Sequence, residues 1–355
     1  MLPILQSECC ANAAPVSAPP AILRRLSIRS NDHSRKSKAG AQARYGQDTG
    51  RQLKSATFLI KYGCNLNCSF CLNEWRGKAQ PNDELVFEQQ KQALQKLRAT
   101  GVMHMTFTGG EPTLHPNLAD LIIFASELGM SALLQTNGTR ITDDFLQKVK
   151  GCIGGIQISL EGLRDEQRKI SRVDCFDTIV ANMKKVKQHG IRLFTNFTIT
   201  EQNKHCLKEY LALLNDIGVD IASFTRLYPA GRAIDNWQEL AISADEYATF
   251  LKELKQLEKI SKTKIYLAGP TDTAFLLQNN LDFQDTATCA AGRDEIAINP
   301  NGDILPCPSW NKPVGNVMTT DIKAAWGAGF LAELGNSHDG TKGCMLARVR
   351  LNNNL

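Results

Sequence analysis

The chain has 355 residues, 43% of them hydrophobic, enough to bury a sizeable core and to exclude global disorder. Its 41 Lys and Arg against 36 Asp and Glu leave a formal charge of +5, too small an excess to argue for a nucleic-acid partner. Eleven cysteines, an odd number in clustered spacing, do not read as a disulfide framework, and no apolar run reaches the ~18–20 residues that span a bilayer. With no secretory pattern, reduced thiols in the cytoplasm are expected, where clustered cysteines point to metal or redox chemistry.

Residues 1–54 stand apart. The stretch from Ala11 to Pro20 is rich in Ala, Pro and Ser, and nine Lys or Arg between Arg24 and Lys54 face only Asp32 and Asp48. That composition, without apolar periodicity, predicts a disordered basic leader. A clamp for an acidic peptide and an Arg- and Ser-rich targeting segment are the other readings.

From residue 56, short apolar runs alternate with helical stretches. Strands are expected at Thr57–Lys61, His104–Thr108, Ala132–Gln135, Gly155–Leu160, Leu193–Thr198 and Ile221–Arg226. Between them, Asp83–Ala99 places Val86, Ala93, Leu94 and Leu97 on one stripe, and Asp177–Gln188 and Lys204–Leu214 behave alike. Gly101, Gly129, Gly190 and Gly218 follow helical segments, where a left-handed cap residue is wanted. Six strand–helix units are too few for an eight-stranded barrel and predict an α/β fold, an open, partial (β/α)6 barrel of TIM type over residues 55–235. In such folds the chemistry sits on loops at the C-terminal strand ends. Residues 236–355 read as a linker helix, Ala244–Ile260, and a small Cys-containing extension. In the extension, a strand at Lys264–Leu267 is followed by a hairpin of Glu295–Asn299 and Asp303–Leu305 turned by Pro300-Asn301-Gly302, then by a helix around Trp326.

Directly after the first strand come Cys64, Cys68 and Cys71, spaced by four and three residues. Three thiolates on one loop can converge on a single centre, and soft sulfur ligands select zinc or iron–sulfur clusters. A structural zinc site wants a fourth ligand nearby; the next histidine along the chain, His104, lies on the next strand. A cubane held by three cysteines instead leaves one iron open to bind and activate a substrate. The second strand ends in Thr108-Gly109-Gly110-Glu111-Pro112, the third in Thr136-Asn137-Gly138 and the fourth in Ser159-Leu160-Glu161-Gly162. Asn196 lies near the end of the fifth, as a further ligand or a buried structural amide. The plain alternative for Gly109–Pro112 is a tight strand-to-helix turn.

Polar motifs at successive strand ends, after a Cys-x3-Cys-x2-Cys loop with Phe70 before its last cysteine, resemble the radical S-adenosylmethionine (SAM) superfamily. The resemblance implies that Cys64, Cys68 and Cys71 hold a 4Fe–4S cluster whose open iron binds SAM, and that Phe70 packs against the adenine. Gly109, Gly110, Glu111 and Pro112 would then serve the amino group of SAM's methionine, and Ser159 and Glu161 its ribose or carboxylate. Asn137 would line the same mouth. Glu161 departs from the family, whose members more often carry Asp there.

Cys289-x12-Gly302-x4-Cys307, with Pro306 before the second cysteine and Gly315-Asn316-Val317 and Trp326 downstream, resembles the SPASM or shorter twitch extension, which carries auxiliary clusters. Tyr228-Pro229-Ala230-Gly231-Arg232-Ala233 resembles the linker before it. The likeness then thins, because only Cys344 follows, succeeded by Met345-Leu346-Ala347-Arg348. Cys289, Cys307 and Cys344 would supply three ligands to one auxiliary iron–sulfur cluster, its fourth ligand left open. Cys152, Cys175 and Cys206 read as small core hydrophobes.

The implied activity is reductive cleavage of SAM to a 5′-deoxyadenosyl radical that takes hydrogen from a substrate, in first place a ribosomally made peptide or protein. The implied reducing partner is a flavodoxin or ferredoxin; neither nucleic acid nor membrane is expected as a partner. Cofactor biosynthesis, small-molecule oxidation and a catalytically impaired peptide-binding relative are the alternatives. A Cys68→Ala variant is expected to lose SAM cleavage while its circular dichroism and thermal unfolding stay near those of the cluster-free parent, since the change empties a loop and not the barrel core. Unchanged cleavage would refute the ligand assignment.

Overall fold

The computed structural model describes residues 52–73, 83–270, 272–284, 286–327, 329–336 and 343–347. All but the last three residues of the expected basic leader lie outside the described residues, as do Cys9 and Cys10.

Six strands stand side by side in sequence order: β1 (Ser55–Leu59), β2 (His104–Thr108), β3 (Ser131–Thr136), β4 (Ile153–Ser159), β5 (Leu193–Ile199) and β6 (Ile221–Arg226). All are parallel. Each strand after β1 is reached through helices: α1 (Phe87–Ala99), α2 (Leu118–Glu127), α3 (Asp143–Val149), α4 (Arg164–Ser171), α5 (Phe176–Gln188) and α6 (Leu207–Ile217). The expected partial barrel is the fold that forms. Its strands are largely buried, because one face meets the helices and the other the barrel interior.

The sheet continues on both sides. Beyond β6 come α7 (Arg232–Asp235), α8 (Trp237–Leu240) and α9 (Ala244–Glu258), then β7 (Lys264–Pro270), α10 (Thr273–Gln278) and β8 (Thr286–Ala287), both strands parallel to their neighbours. On the other edge, β9 (Glu295–Ile298) pairs in parallel with β1, from Ser55 opposite Glu295 to Phe58 opposite Ile298. It turns back antiparallel through β10 (Asp303–Leu305) and β11 (Gly315–Asn316), before α11 (Ile322–Gly327), which contains Trp326, and α12 (Gly329–Asn336). The cysteine-bearing C-terminal residues are thus hydrogen-bonded into the edge of the sheet, beside the strand that leads to Cys64.

Two helix starts differ from the sequence reading. The helix expected from Asp83 begins at Phe87, and Val86 is 63% exposed instead of sharing the buried stripe. Leu85 N–H is bonded to Pro300 O at 2.7 Å, which holds that stretch extended, and Gln89 accepts the Val86 N–H to start the helix. Gln90 takes the buried place with Ala93, Leu94 and Leu97, its amide donating to Ile60 O. The helix expected from Lys204 opens as a 3-10 turn over Lys204–Cys206 and runs on to Ile217, stopped by Gly218 at φ 79°.

The main core lies between sheet and helices, with Phe107, Leu134, Ile156 and Phe197 on the outward faces of their strands. Residues of opposite parity point into the barrel, where Leu133, Phe194, Ile221 and Tyr266 form a separate layer. Gly155 makes room for it, because a Cβ there would lie 2.4 Å from the Phe194 ring. This plug fills the barrel interior below the C-terminal strand ends, as barrel interiors are usually filled, and leaves the upper mouth open. On the helix side, Phe197, Tyr210, Phe224 and Phe250 form an aromatic cluster with ring centroids 4.8–6.3 Å apart. Phe197→Ala is expected to cost about 3–5 kcal/mol of unfolding free energy in a denaturant titration. A loss below about 1 kcal/mol would mean that the cluster closes around the gap.

Candidate active site

The hydrogen bonding between β1 and β2 does not stop where the strands do. Ile60 N–H donates to Thr108 O at 2.9 Å, Gly110 N–H to Lys61 O at 2.7 Å and Glu111 N–H to Gly63 O at 2.8 Å. Two chains can run this close only without side chains between them. A Cβ on Gly109, at φ 146°, would lie 2.6 Å from Lys61 O, and one on Gly110 would lie 2.1 Å from Gly63 O. The cysteine loop is held on its far side by α4: Asn67 N–H and Ser69 N–H donate to Ser171 O and Ile170 O, the latter at 2.9 Å. Within the loop, Leu66 N–H points to Cys64 Sγ at 3.5 Å.

Cys64, Cys68 and Cys71 line one cavity of about 320 Å³ above the barrel plug. Phe70, Gly109, Gly110, Glu111, Asn137, Ser159, Glu161 and Asn196 line it too, as the sequence led one to expect. Pro112 does not reach the wall; it is buried and opens the 3-10 turn Pro112–Leu114, which fits the turn reading of that one residue. The sequence reading passed over other lining residues, including Gln135, Gln157, Thr198, Thr225, Arg226 and Tyr228. A signal for several of them was available: amides and hydroxyls inside strands that a buried parallel sheet should keep apolar. Gln135 donates to Gln157 at 2.7 Å and Gln157 in turn to Ser223, a polar rung laid across β3, β4 and β6.

Glu111 is 1% exposed, and its carboxylate is held by four donors. Oε1 accepts from Thr113 N–H at 2.9 Å and from the Thr113 and Thr136 hydroxyls. Oε2 accepts from Asn137 N–H alone, at 2.8 Å, so it keeps acceptor capacity toward the cavity. Asn196 accepts from the Thr225 hydroxyl at 2.7 Å and donates to Thr198 Oγ1, so both ends of its amide have protein partners.

Glu161 differs from both. It is 2% exposed; Oε2 accepts from Thr198 N–H at 2.6 Å, while Oε1 finds no partner. Burial pushes its carboxyl up to about 8, against the pull of the Thr198 hydrogen bonds. A buried acceptor without a donor is destabilising until something supplies one.

A second thiol group lies around the strands β9 and β10. Cys289 and Cys307 pack in one cluster with Leu334 and Met345. Burial raises the Cys307 thiol above its ordinary range, and Cys344 and then Cys289 raise it further. Ser309 N–H is directed at Cys307 sulfur, and Ala291 and Met345 N–H at Cys289 sulfur. Pro308 and Ser309, next to Cys307, reach the wall of the main cavity, as does Tyr228. Burial, with the charges of Cys344 and then Cys289, raises the Tyr228 phenol.

Among the described residues, no three His, Cys, Asp or Glu side chains crowd together as ligands of a single metal ion do. This does not conflict with a cubane, whose cysteine ligands sit on different corner irons and therefore stay apart. Three thiols around one cavity, with an unpartnered buried acceptor on the same wall, fit a thiolate-bound cluster with a polar small molecule on it.

Comparison with known proteins bears on the same regions. Residues 58–214 match the radical SAM superfamily, and residues 289–345 match the SPASM iron–sulfur cluster-binding domain. The chain is 30% identical over 258 residues to the mycofactocin maturase MftC of Mycobacterium tuberculosis, a match covering 71% of this chain and 63% of that protein. The chain therefore spans less than two thirds of the length of that relative. Among solved structures, Streptococcus suis SuiB bound to precursor peptide SuiA superposes with a TM-score of 0.68 at 18% identity, covering 81% of this chain and 67% of that one. The structure of anSMEcpe with bound AdoMet and Cp18Cys peptide gives 0.62 at 15% identity, covering 79% and 81%. At such identities these likenesses speak for the fold.

Glu161 makes stability depend on pH. Near neutrality the folded chain holds a proton there that the unfolded chain releases around pH ~4.3. Stability from this group is therefore full below that value and declines as pH rises toward about 8, by at most about 1.4 kcal/mol per pH unit. Glu161→Gln is expected to flatten that decline in urea unfolding at about pH 5 and about pH 8. Equal slopes in parent and variant would place the titration elsewhere.

Proposed function

Because the chain belongs to the radical SAM superfamily and carries its SPASM cluster-binding domain, we propose that it is an enzyme that cleaves SAM reductively to modify a peptide or protein. The carrying observation is the meeting of the three loop thiols, Gly109 and Gly110, and the half-satisfied Glu161 carboxyl on one cavity. When bound, the cluster supplies the electron that splits SAM into methionine and a 5′-deoxyadenosyl radical, which takes a hydrogen atom from the substrate.

In this reading Cys64, Cys68 and Cys71 are the cluster ligands. The open acceptor site of Glu111 Oε2, with nearby backbone carbonyls, holds the ammonium of SAM. Phe70, backed by Leu227, Ala233 and Leu240, offers an apolar wall for the adenine. Glu161, protonated near neutrality, presents a hydroxyl or a carbonyl oxygen to the ribose or carboxylate, and Ser159, Asn137 and Asn196 complete the polar rim. The apolar plug keeps water from the reacting centre on the barrel side, and the fixed polar groups orient SAM.

Cys289, Cys307 and Cys344 are assigned to an auxiliary cluster. The backbone N–H groups aimed at Cys289 and Cys307 are the kind of hydrogen bond that tunes cluster sulfurs. Since the Cys307 loop and Tyr228 form part of the main cavity wall, a substrate seated there would lie between the two centres. The peptide reading is supported by the relatives, one named a mycofactocin maturase and another solved with its precursor peptide. A flavodoxin or ferredoxin is the proposed reductant and the cytoplasm the proposed setting; no helix among the described residues is long and apolar enough to cross a membrane. We assign residues 55–235 to the catalytic core and 236–355 to the linker helix and extension.

The test is anaerobic: reconstitute the protein with iron and sulfide, add dithionite and SAM, and assay 5′-deoxyadenosine. Formation that depends on the protein supports the reading; none from a chain whose iron and sulfide content shows assembled cluster, with candidate peptides present, counts against it. Cys307→Ala is expected to keep forming 5′-deoxyadenosine but to lose modified peptide by mass spectrometry. Normal product from that variant would remove the auxiliary cluster from catalysis.

A further inference from the structure

The linker motif Tyr228–Ala233 bears directly on the cysteine loop. Gly231, at φ 54°, lies so close that a Cβ would fall 2.3 Å from Cys71 O. Arg232 N–H donates to Cys71 O at 2.9 Å, and Arg232 Nε donates to Cys68 O at 2.9 Å. Its Nη1 donates to the side-chain oxygen of Asn67. One turn on, Asn236 Nδ2 donates to Ser69 O at 3.0 Å. The carbonyls of residues 68, 69 and 71 are therefore all fixed from α7 and its C-terminal cap. Arg232 contributes both a main-chain and a side-chain tie.

Arginine suits such a place for two reasons. Its planar fork can bind the Cys68 carbonyl and the Asn67 side chain at once, which a lysine ammonium on a flexible stem does poorly. Its charge is permanent, and nearby charge and hydrogen bonding help to set the reduction potential of a cluster. A cluster on three thiolates gains negative charge when it accepts an electron, so a fixed cation behind the loop favours the reduced state.

We propose that Arg232 is a positioning residue that holds the cluster-binding loop in register and makes the cluster easier to reduce, so that the linker to the C-terminal extension also tunes the SAM-cleaving centre. The inference rests on Cys64, Cys68 and Cys71 being the cluster ligands. Arg232 touches neither SAM nor substrate in this reading and acts only through the loop.

The test uses the full chain with Arg232→Gln and Arg232→Lys, each reconstituted anaerobically beside the parent. Dye-mediated redox titration follows the electron paramagnetic resonance signal that changes on SAM addition, which separates this cluster from the auxiliary one. Iron release to a chelator measures how firmly the loop holds, and thermal unfolding of the cluster-free chains controls for the fold. Arg232→Gln is expected to show a more negative midpoint potential and faster iron release. Arg232→Lys is expected to recover the potential but not the slow release, since it restores the charge without the fork. Parental potential and parental release in Arg232→Gln overturn the proposal. Faster release with an unshifted potential in both variants overturns it as well, leaving Arg232 a structural tie alone. A parent that assembles no SAM-responsive cluster overturns the ligand assignment, and this inference with it.

Discussion

Two backbone segments that keep hydrogen-bonding past the end of their strands hold this site together. Buried N–H and C=O groups must find partners, and a loop leaving a sheet usually finds them in itself or in water. Here the residues after β1 find them in the residues after β2: Lys61 O and Gly63 O accept from Gly110 and Glu111. The arrangement demands glycine at 109 and 110, since a Cβ at either place would overlap a β1-loop carbonyl. Once the two loops are joined, Glu111 is carried under β3, where Thr136 and Asn137 N–H grip its carboxylate. Neighbouring strand ends thereby become one rigid rim, and the cysteine loop inherits that rigidity. Its remaining ties come from α4 on one side and α7 on the other.

Beneath the rim, the barrel interior changes character within one turn of side chains. Leu133, Phe194, Ile221 and Tyr266 pack as a dry layer, and two residues further along β3 Gln135 begins the polar wall. The parity of a strand makes this possible, because side chains i and i+2 share a face at different heights. Desolvation is the cost of building polar groups on so apolar a floor, and Glu161 bears it with its second oxygen left without a donor. Such local disagreement with packing rules is the usual mark of a site shaped for a ligand.

The C-terminal residues enter the same construction through β9. Pairing with β1 along Ser55–Phe58 fixes their position relative to the strand that feeds the cysteine loop, and Thr57 donates to Glu295 at 2.8 Å across that seam. The loop after β10 then brings Pro308 and Ser309 into the cavity wall while Cys307 packs with Cys289 and Met345. One strand thus relates two groups of thiols that are more than two hundred residues apart in the chain.

The chain order of six strands and their helices was legible in the sequence because alternation and helical periodicity are local properties. So were the cysteine loop and the polar motifs at the strand ends, since each is contiguous and a parallel sheet brings the same end of every strand to one face. Local signals misjudged Val86, whose place in an apolar stripe was lost when Pro300, from the far end of the chain, held the neighbouring Leu85 extended. They also passed over Gln135 and Gln157, because a lone polar residue in a strand declares its direction only when the barrel closes around it. Which carboxylate is saturated and which is left wanting, Glu111 or Glu161, depends on donors from neighbouring strands and their loops. The place of Arg232 against Cys68 and of β9 against β1 likewise depends on contacts between residues far apart in the sequence. The sequence by itself therefore determined the elements, their order and the motifs. Only the tertiary structure decided the hydrogen-bond partners, because these are set by which distant backbones meet.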